Sequence, residues 1–327
     1  MNEPLLEVRG LTKYFPVRSG LLLRKQGDVH AVDGISFDLH QGETLGLVGE
    51  SGCGKSTVGR TLLRLHGATS GSIRFEGRDV MKMRSAELRA LRRDIQIVFQ
   101  DPFESLNARH TIGRILEEPF SIHKLGTLAK REQWVDELLV RVGLDASAKF
   151  RFPHEFSGGQ RQRIGIARAI ALKPKLIVCD EAVSALDVSI QSQVLNLLLE
   201  LQREMKLALI FIAHDLAVVK HVSDRVAVMY LGKIVEMAAA DDIYRQPRHP
   251  YTQALVSAIP IPDPIRAQTR VVLKGEVPSP INPPAGCHFH TRCPHARADC
   301  LQRAPDLAYV DDVSAVACHH WQVIDNH

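Results

Sequence analysis

The stretch Gly49-Glu50-Ser51-Gly52-Cys53-Gly54-Lys55-Ser56-Thr57 constrains this chain more than any other, because it specifies a cradle for phosphate almost atom by atom. It follows an apolar run, Thr44-Leu45-Gly46-Leu47-Val48, and leads into Val58–Leu65, whose apolar spacing is helical. The pattern G-x-x-x-x-G-K-[ST] carries its chemistry in that strand–loop–helix setting. Gly49, Gly52 and Gly54 let successive backbone N–H groups converge on one anion. The helix N-terminus adds positive dipole at the same point. Lys55 is placed to reach the β- and γ-phosphates, and the Ser56 hydroxyl to ligate Mg²⁺. These residues imply a bound nucleoside triphosphate, and a glycine-rich turn with an incidental lysine is the poorer explanation.

At 327 residues the chain can bury a substantial core and divide into two or three units. Its net charge of +4 is too mild to argue for a nucleic-acid partner, and pairs such as Arg92-Arg93 read as a solvated helix face. No apolar run approaches the ~18–20 residues needed to span a bilayer. The opening Met1-Asn2-Glu3-Pro4 lacks the basic and apolar regions of a signal peptide, so a cytoplasmic location is expected.

Residues 5–15 and 29–39 alternate like strands around a loop from Ser19 to Asp28, and Gly71–Gly77 is a further short strand. After a strand at Asp94–Gln100, the periodicity from about Thr111 to Ala171 is mostly helical, with breaks expected at Pro119 and Pro153. Strand character returns at Leu176–Cys179, Ala208–Ala213 and Arg225–Tyr230, with helices between. This alternation predicts an α/β core holding a helical insert. From about Ala238 the rhythm stops and Pro, Arg and His become frequent, which marks a small C-terminal appendage.

Leu176-Ile177-Val178-Cys179-Asp180-Glu181 reads as a buried strand ending in two acids. Alone it is as easily a solvated strand end. Alongside the phosphate cradle it is better read as chemistry: Asp180 completing the Mg²⁺ shell and Glu181 polarising an attacking water. Ser157-Gly158-Gly159-Gln160 opens a helix and forms a second anion site. Two phosphate-facing helix ends in one chain suggest that they serve different nucleotides across a dimer.

Gly49–Thr57, Gln100, Ser157–Gln160, Asp180–Glu181, Ser184-Ala185-Leu186-Asp187 and His214 occur in the order found in ABC-transporter ATPase subunits, and the chain resembles that family from residue 5 to 235. The resemblance implies a P-loop NTPase (RecA-like) core with an N-terminal antiparallel β subdomain. It places the ATPase domain at 1–238, its helical subdomain at about 105–170, and a Cys-rich extension at 239–327. It implies that Phe15, rather than Tyr14, stacks on adenine. Gln100 would contact Mg²⁺ and the water and report to a membrane domain. Ser157, Gly158, Gly159 and Gln160 would clasp the γ-phosphate of a nucleotide on another subunit. Asp187 would lie at the dimer seam, and His214, ending a strand, would sense the γ-phosphate. Ala182 stands where the family usually has proline, a change expected to loosen that turn.

Arg248–Leu255, Gly275–Pro280 and Asn282–Cys287 narrow the resemblance to the extension of oligopeptide and dipeptide permease ATPases, in the oligopeptide F-type form, with weaker support from Leu201–Met205 and Ile259–Pro264. That class implies a second, non-identical ATPase subunit, two transmembrane permease subunits, an external peptide-binding protein (periplasmic or a lipoprotein), and a peripheral place on the cytoplasmic face of the inner membrane. A soluble ABC ATPase working on nucleic acid or ribosomes is the rival; such proteins tend to carry long coiled-coil inserts or paired ATPase units. A regulatory or scaffolding module without transport is a third reading. Within the permease class, nickel chelates or glutathione are alternative cargoes.

Four of the six cysteines, Cys287, Cys293, Cys300 and Cys318, crowd the end of the chain. In a reducing compartment such a cluster suggests metal. Their spacing lacks the paired C-x₂₋₄-C knuckles of the usual zinc ribbons, which leaves a [4Fe–4S] cluster or tetrahedral zinc. His288, His290, His295, His319 and His320 keep a mixed Cys/His zinc site open, and unligated buried thiols are the bland alternative. The family resemblance tips the reading toward an iron–sulfur cluster with a structural role.

Overall fold

The computed structural model describes residues 3–19, 24–101, 105–259, 271 and 273–324. The chain forms two compact units: Met1–His40, Thr44–Lys82 and Ala213–His327 make the first, and Gln41–Glu43 with Met83–Ile212 the second.

The first unit begins with two long strands, β1 (Leu6–Ser19) and β2 (Arg24–Leu39). They pair antiparallel in a register running from Leu6 opposite Leu39 to Ser19 opposite Arg24. The strands therefore consume most of the stretch from Ser19 to Asp28 that the sequence reads as a loop, because cross-strand pairing continues into its polar residues. β3 (Thr44–Val48) is buried at every position and delivers the phosphate loop, followed by α1 (Lys55–Leu62). β4 (Ser70–Phe75) and β5 (Arg78–Asp79) complete a four-stranded sheet in the order β2-β1-β4-β5. Leu6, Val8, Leu11, Phe37, Leu39, Ile73 and Phe75 are buried there, as period-two alternation requires.

The second unit holds α2 (Ser85–Asp94), β6 (Ile95–Val98), α3 (Ile112–Ile122), α4 (Leu128–Arg141), α5 (Gly158–Ile170), β7 (Leu176–Asp180), α6 (Val188–Met205) and β8 (Ala208–Ile212). β6, β7 and β8 run parallel in register. Both β7 and β8 are buried throughout, the signature of a sheet covered on two faces. Thr111 caps α3 by accepting from Arg114 N, and Pro119 does not end the helix as its sequence suggests. Ile112, Ile115, Leu116 and Phe120 form a continuous buried stripe across it, and that packing outweighs the one backbone hydrogen bond proline removes. Pro153 does interrupt the pattern, opening a single 3₁₀ turn, Pro153–Glu155.

The chain then returns to the first unit with α7 (Leu216–Val222), β9 (Arg225–Tyr230), β10 (Lys233–Ala239), α8 (Ala240–Arg245), α9 (Pro250–Ser257), α10 (Ala298–Gln302), β11 (Ala308–Tyr309) and β12 (Ala315–Val316). β3 lies parallel to β9, β9 antiparallel to β10, and β12 pairs with β10 through Glu236–Val316 and Met237–Ala315. The C-terminal residues thus extend a sheet of the first unit. Of the sequence stretches noted above, Pro260–Pro264 fall outside the described residues.

Candidate active site

The phosphate loop is shaped by backbone that only glycine tolerates. Gly54 has φ 108°, and a Cβ there would collide with the Ala31 carbonyl oxygen; Gly49 has φ 151°, and a Cβ there would strike the Met229 carbonyl. Lys55 is 4% exposed. Its ammonium donates to the carbonyls of Gly49 at 2.8 Å and Glu50 at 3.0 Å, holding the cation over the loop. The N-terminal end of α1, which begins at Lys55, carries the positive dipole that favours an anion. Ser56 and Thr57 are half-buried on its first turn. Cys53 is buried, which pushes its thiol pKa up, so it is a poor nucleophile despite its lysine neighbour.

Phe15 and Tyr14 differ in how they are engaged. Tyr14 stacks on His30 at 4.0 Å and its hydroxyl donates to Asp33 at 2.6 Å, whereas Phe15 meets His66 edge-on at 5.3 Å with the Lys13 ammonium 4.5 Å from its ring centre. The Tyr14 ring is fixed by its own partners; Phe15 retains a half-exposed face.

In the second unit, Asp180 is 1% exposed at the end of β7, and Glu181 follows with φ 48°, a left-handed conformation uncommon outside glycine. Such strain persists only where the surroundings hold it. They do: Ser184 donates to the Glu181 carbonyl from its backbone N at 3.2 Å and its hydroxyl at 3.0 Å, and Ala182 is buried. The turn is closed despite the missing proline, contrary to the loosening expected from sequence. Gln100 Nε2 donates to Glu181 Oε2 at 2.9 Å, so two of the predicted catalytic residues meet directly.

Ser157 caps α5 in a reciprocal box: its hydroxyl accepts from Gln160 N at 3.3 Å, and Gln160 Oε1 accepts from Ser157 N at 3.0 Å. The serine proton is still available to donate to an outside acceptor. Gly158 is half-buried, and Gly159 is buried against Ile190 of α6, so closely that a Cβ there would collide with it. Asp187 sits at the start of α6, exposed, beside Val188, which is 79% exposed. His214 is exposed and lies two residues beyond β8 rather than on its end, in the turn that Asp215 closes by capping α7 through Ala217 N at 2.7 Å.

The ABC transporter family signature matches residues 32–184, and that of the oligopeptide/dipeptide transporter C-terminal region matches residues 235–300. The oligopeptide transport ATP-binding protein AppF of Bacillus subtilis is 57% identical over 97% of this chain and 98% of its own length. This chain belongs to the ABC transporter ATPases. Within that family, the oligopeptide transport ATP-binding protein OppF of Escherichia coli is 54% identical over 94% of this chain and 93% of its own. Among solved structures, the ATP-binding cassette MJ0796, a dimer with ADP and Pi bound, aligns with a TM-score of 0.64 at 26% identity, over 72% of this chain and 98% of that one. An ABC ATPase binds and hydrolyses ATP, and the loop, the acid pair and the capped α5 are the parts such an enzyme needs.

Sequence reasoning missed what surrounds the phosphate loop in the first unit. The Glu50 carboxylate takes a bidentate contact from Arg292, and its backbone N donates to the Tyr251 hydroxyl at 2.9 Å. Tyr230, Tyr251 and Phe289 are 1%, 0% and 1% exposed and pack with ring centres 4.9–5.4 Å apart. His249, also buried, touches Phe289 and has its pKa lowered to about 3 by desolvation. Glu236, buried with its pKa raised chiefly by desolvation, accepts from Arg248 N and His249 N at the start of α9. The signal available in the sequence was the aromatic content of Arg248–Leu255 and Cys287–Cys293.

All four C-terminal cysteines line one small cavity, with Phe289, His290, His295, His319 and His320 around it. Burial raises the pKa of Cys287, and those of Cys293 and Cys318 to about 11. Among the described residues, the group of metal-capable side chains with ligand atoms all within 4.8 Å of one another is Asp299, Cys300 and His320; the other three thiols stand outside it.

Proposed function

We propose that this chain is one half of an ATPase heterodimer that powers import of oligopeptides through a membrane permease. The observation that carries the reading is the combination, in one chain, of a complete set of ATPase residues with a C-terminal region matched to oligopeptide/dipeptide transporters. Relatives above 50% identity along nearly the whole chain are named as oligopeptide transport ATP-binding proteins, which supports peptides as cargo.

In this reading Lys55 and the amides of Gly49–Thr57 hold the phosphates, with Phe15 under the adenine. Ser56, Gln100 and Asp180 offer the hard oxygen donors Mg²⁺ takes, and the ion neutralises charge on the transferring phosphoryl group. Glu181 orients and deprotonates water with Gln100 as its partner, and His214 contacts the γ-phosphate. Ser157, Gly158, Gly159 and Gln160 clasp the nucleotide of the second, non-identical ATPase, with exposed Asp187 at the seam. The MJ0796 dimer supports pairing of two such subunits by analogy. No described helix is long and apolar enough to cross a membrane. In this reading attachment to the cytoplasmic face of the inner membrane runs through two permease subunits served by an external peptide-binding protein.

In the same reading the four C-terminal thiols hold a structural [4Fe–4S] cluster, with tetrahedral zinc as the alternative. The gathering of all four thiols around one cavity supports a shared ligand. Four thiolates are the usual donor set of that cluster, which would tie together a tail short of core.

The test is reconstitution. The purified chain alone hydrolyses ATP weakly, because its Ser157–Gln160 segment needs a nucleotide held by another subunit. Adding the cognate ATPase and membrane subunits raises turnover, and peptide-loaded binding protein raises it further. Full activity from a dilute monomer overturns the heterodimer, and turnover indifferent to peptide overturns the cargo.

A further inference from the structure

Arg292 belongs to the thiol-bearing loop, one residue before Cys293, yet its guanidinium serves the phosphate loop. Nη1 lies 2.7 Å from Glu50 Oε2 and Nη2 3.1 Å from Glu50 Oε1, the two-pronged geometry that makes arginine–carboxylate pairs strong and directional. The Arg292 side chain is 8% exposed, so the pair is poorly screened by salt. The guanidinium also stands 5.8 Å from the centre of the buried Tyr230 ring, a second contact that keeps it at this spot. Glu50 is gripped at two further points: its N–H donates to Tyr251, and its carbonyl accepts from the Lys55 ammonium. Phe289, three residues before Arg292, packs on Tyr251 and so ties the same loop to the second grip.

We infer that Arg292 is a positioning residue for the nucleotide. It fixes the Glu50 carboxylate, and with Tyr251 it sets the orientation of the peptide whose carbonyl seats Lys55. The conformation of the Cys287–Cys293 loop thereby sets ATP affinity. The Arg292–Glu50 step stands without any metal; the dependence on the thiols rests on the proposed cluster.

The test uses full-length chain and the non-hydrolysable analogue adenylyl imidodiphosphate with Mg²⁺, measured by calorimetry. Arg292→Ala weakens binding by about 5–20-fold, a fraction of what a charge-assisted hydrogen-bonded pair contributes. Arg292→Lys restores only part of that loss, since a point charge cannot reproduce the fork. Glu50→Ala combined with Arg292→Ala is no worse than the poorer single variant. Amide hydrogen exchange in Arg292→Lys rises at residues 49–54 and stays unchanged in α5, which a general loss of stability would not produce. Cys293→Ser weakens binding by a similar factor in the wild-type background and adds nothing to Arg292→Ala. Wild-type affinity in Arg292→Ala, or additive losses in the double variant, overturns the inference. Unchanged affinity in Cys293→Ser overturns the dependence on the thiol loop. The visible spectrum of the wild-type protein reports on the cluster separately.

Discussion

The phosphate loop and the thiol cavity lie in the same unit but are built in opposite ways. The loop is made by backbone: nine neighbouring residues, glycine where φ is positive, and amides aimed by a helix end. The cavity is made by side chains from separated places: Cys287 and Cys293 from one loop, Cys300 from α10, and Cys318 just after β12. A backbone-built site tolerates almost no added atom, and its shape is encoded in one short segment. A side-chain-built site depends on each donor and on the fold that gathers them.

That contrast can be broken at several points. The largest effect belongs to chemistry carried by a single group: Glu181→Gln lowers ATP turnover of the assembled transporter by about 10²–10⁴ while leaving ATP binding intact. Wild-type hydrolysis in that variant would show that Glu181 is not the base. Next comes Gly54→Ala, one methyl group forced against the Ala31 carbonyl at φ 108°. Backbone strain of about 1–3 kcal/mol alone makes ATP binding roughly tenfold weaker or worse. Binding unchanged in calorimetry would mean that the loop is not held as tightly as its geometry requires.

The tail should respond differently. Anaerobically purified protein is brown, with visible absorbance that bleaches on reduction. Cys300→Ser loses the colour and lowers the melting temperature by several degrees, at about 2–4 °C per kcal/mol for a chain of this class. Colourless protein with stoichiometric zinc would replace iron by zinc in the same cavity. The smallest effect is one of pH. Unfolded His249 takes up a proton near its ordinary value of 6.5, whereas the buried ring resists protonation until about pH 3. The unfolded state therefore binds more protons in that window, and stability falls as pH drops, by at most about 1.4 kcal/mol per pH unit. His249→Asn keeps a capping acceptor and should flatten that part of the acid slope, read from melting temperatures between pH 7 and 5.

The same contrast explains what could be read from sequence. The phosphate loop, the acid pair and the capped Ser157 are local patterns in which each residue acts on neighbours within a turn or two. Pairing between β1 and β2 overran a loop, and a packed apolar stripe carried α3 through Pro119, because tertiary contacts overrule local signals. The turn after Glu181 is held by Ser184, three residues on, so the loss of proline at Ala182 has a compensation visible only in three dimensions. Arg292 on Glu50 and Tyr251 on the same peptide join residues more than two hundred positions apart, and nothing in either segment alone announces the other.

That separation has a consequence for synthesis. Glu50 and Arg292 are 242 residues apart, and a ribosome adding about 5–20 residues per second needs roughly 10–50 s to travel between them. During that interval the emerging chain already contains its phosphate loop but lacks the guanidinium, the tyrosine and the sheet edge that hold it. If Arg292 positions the loop as inferred, the nucleotide site is finished only when the last part of the polypeptide has emerged, and a truncated product, though it carries every ATPase motif, lacks the grips on Glu50 that the complete subunit has.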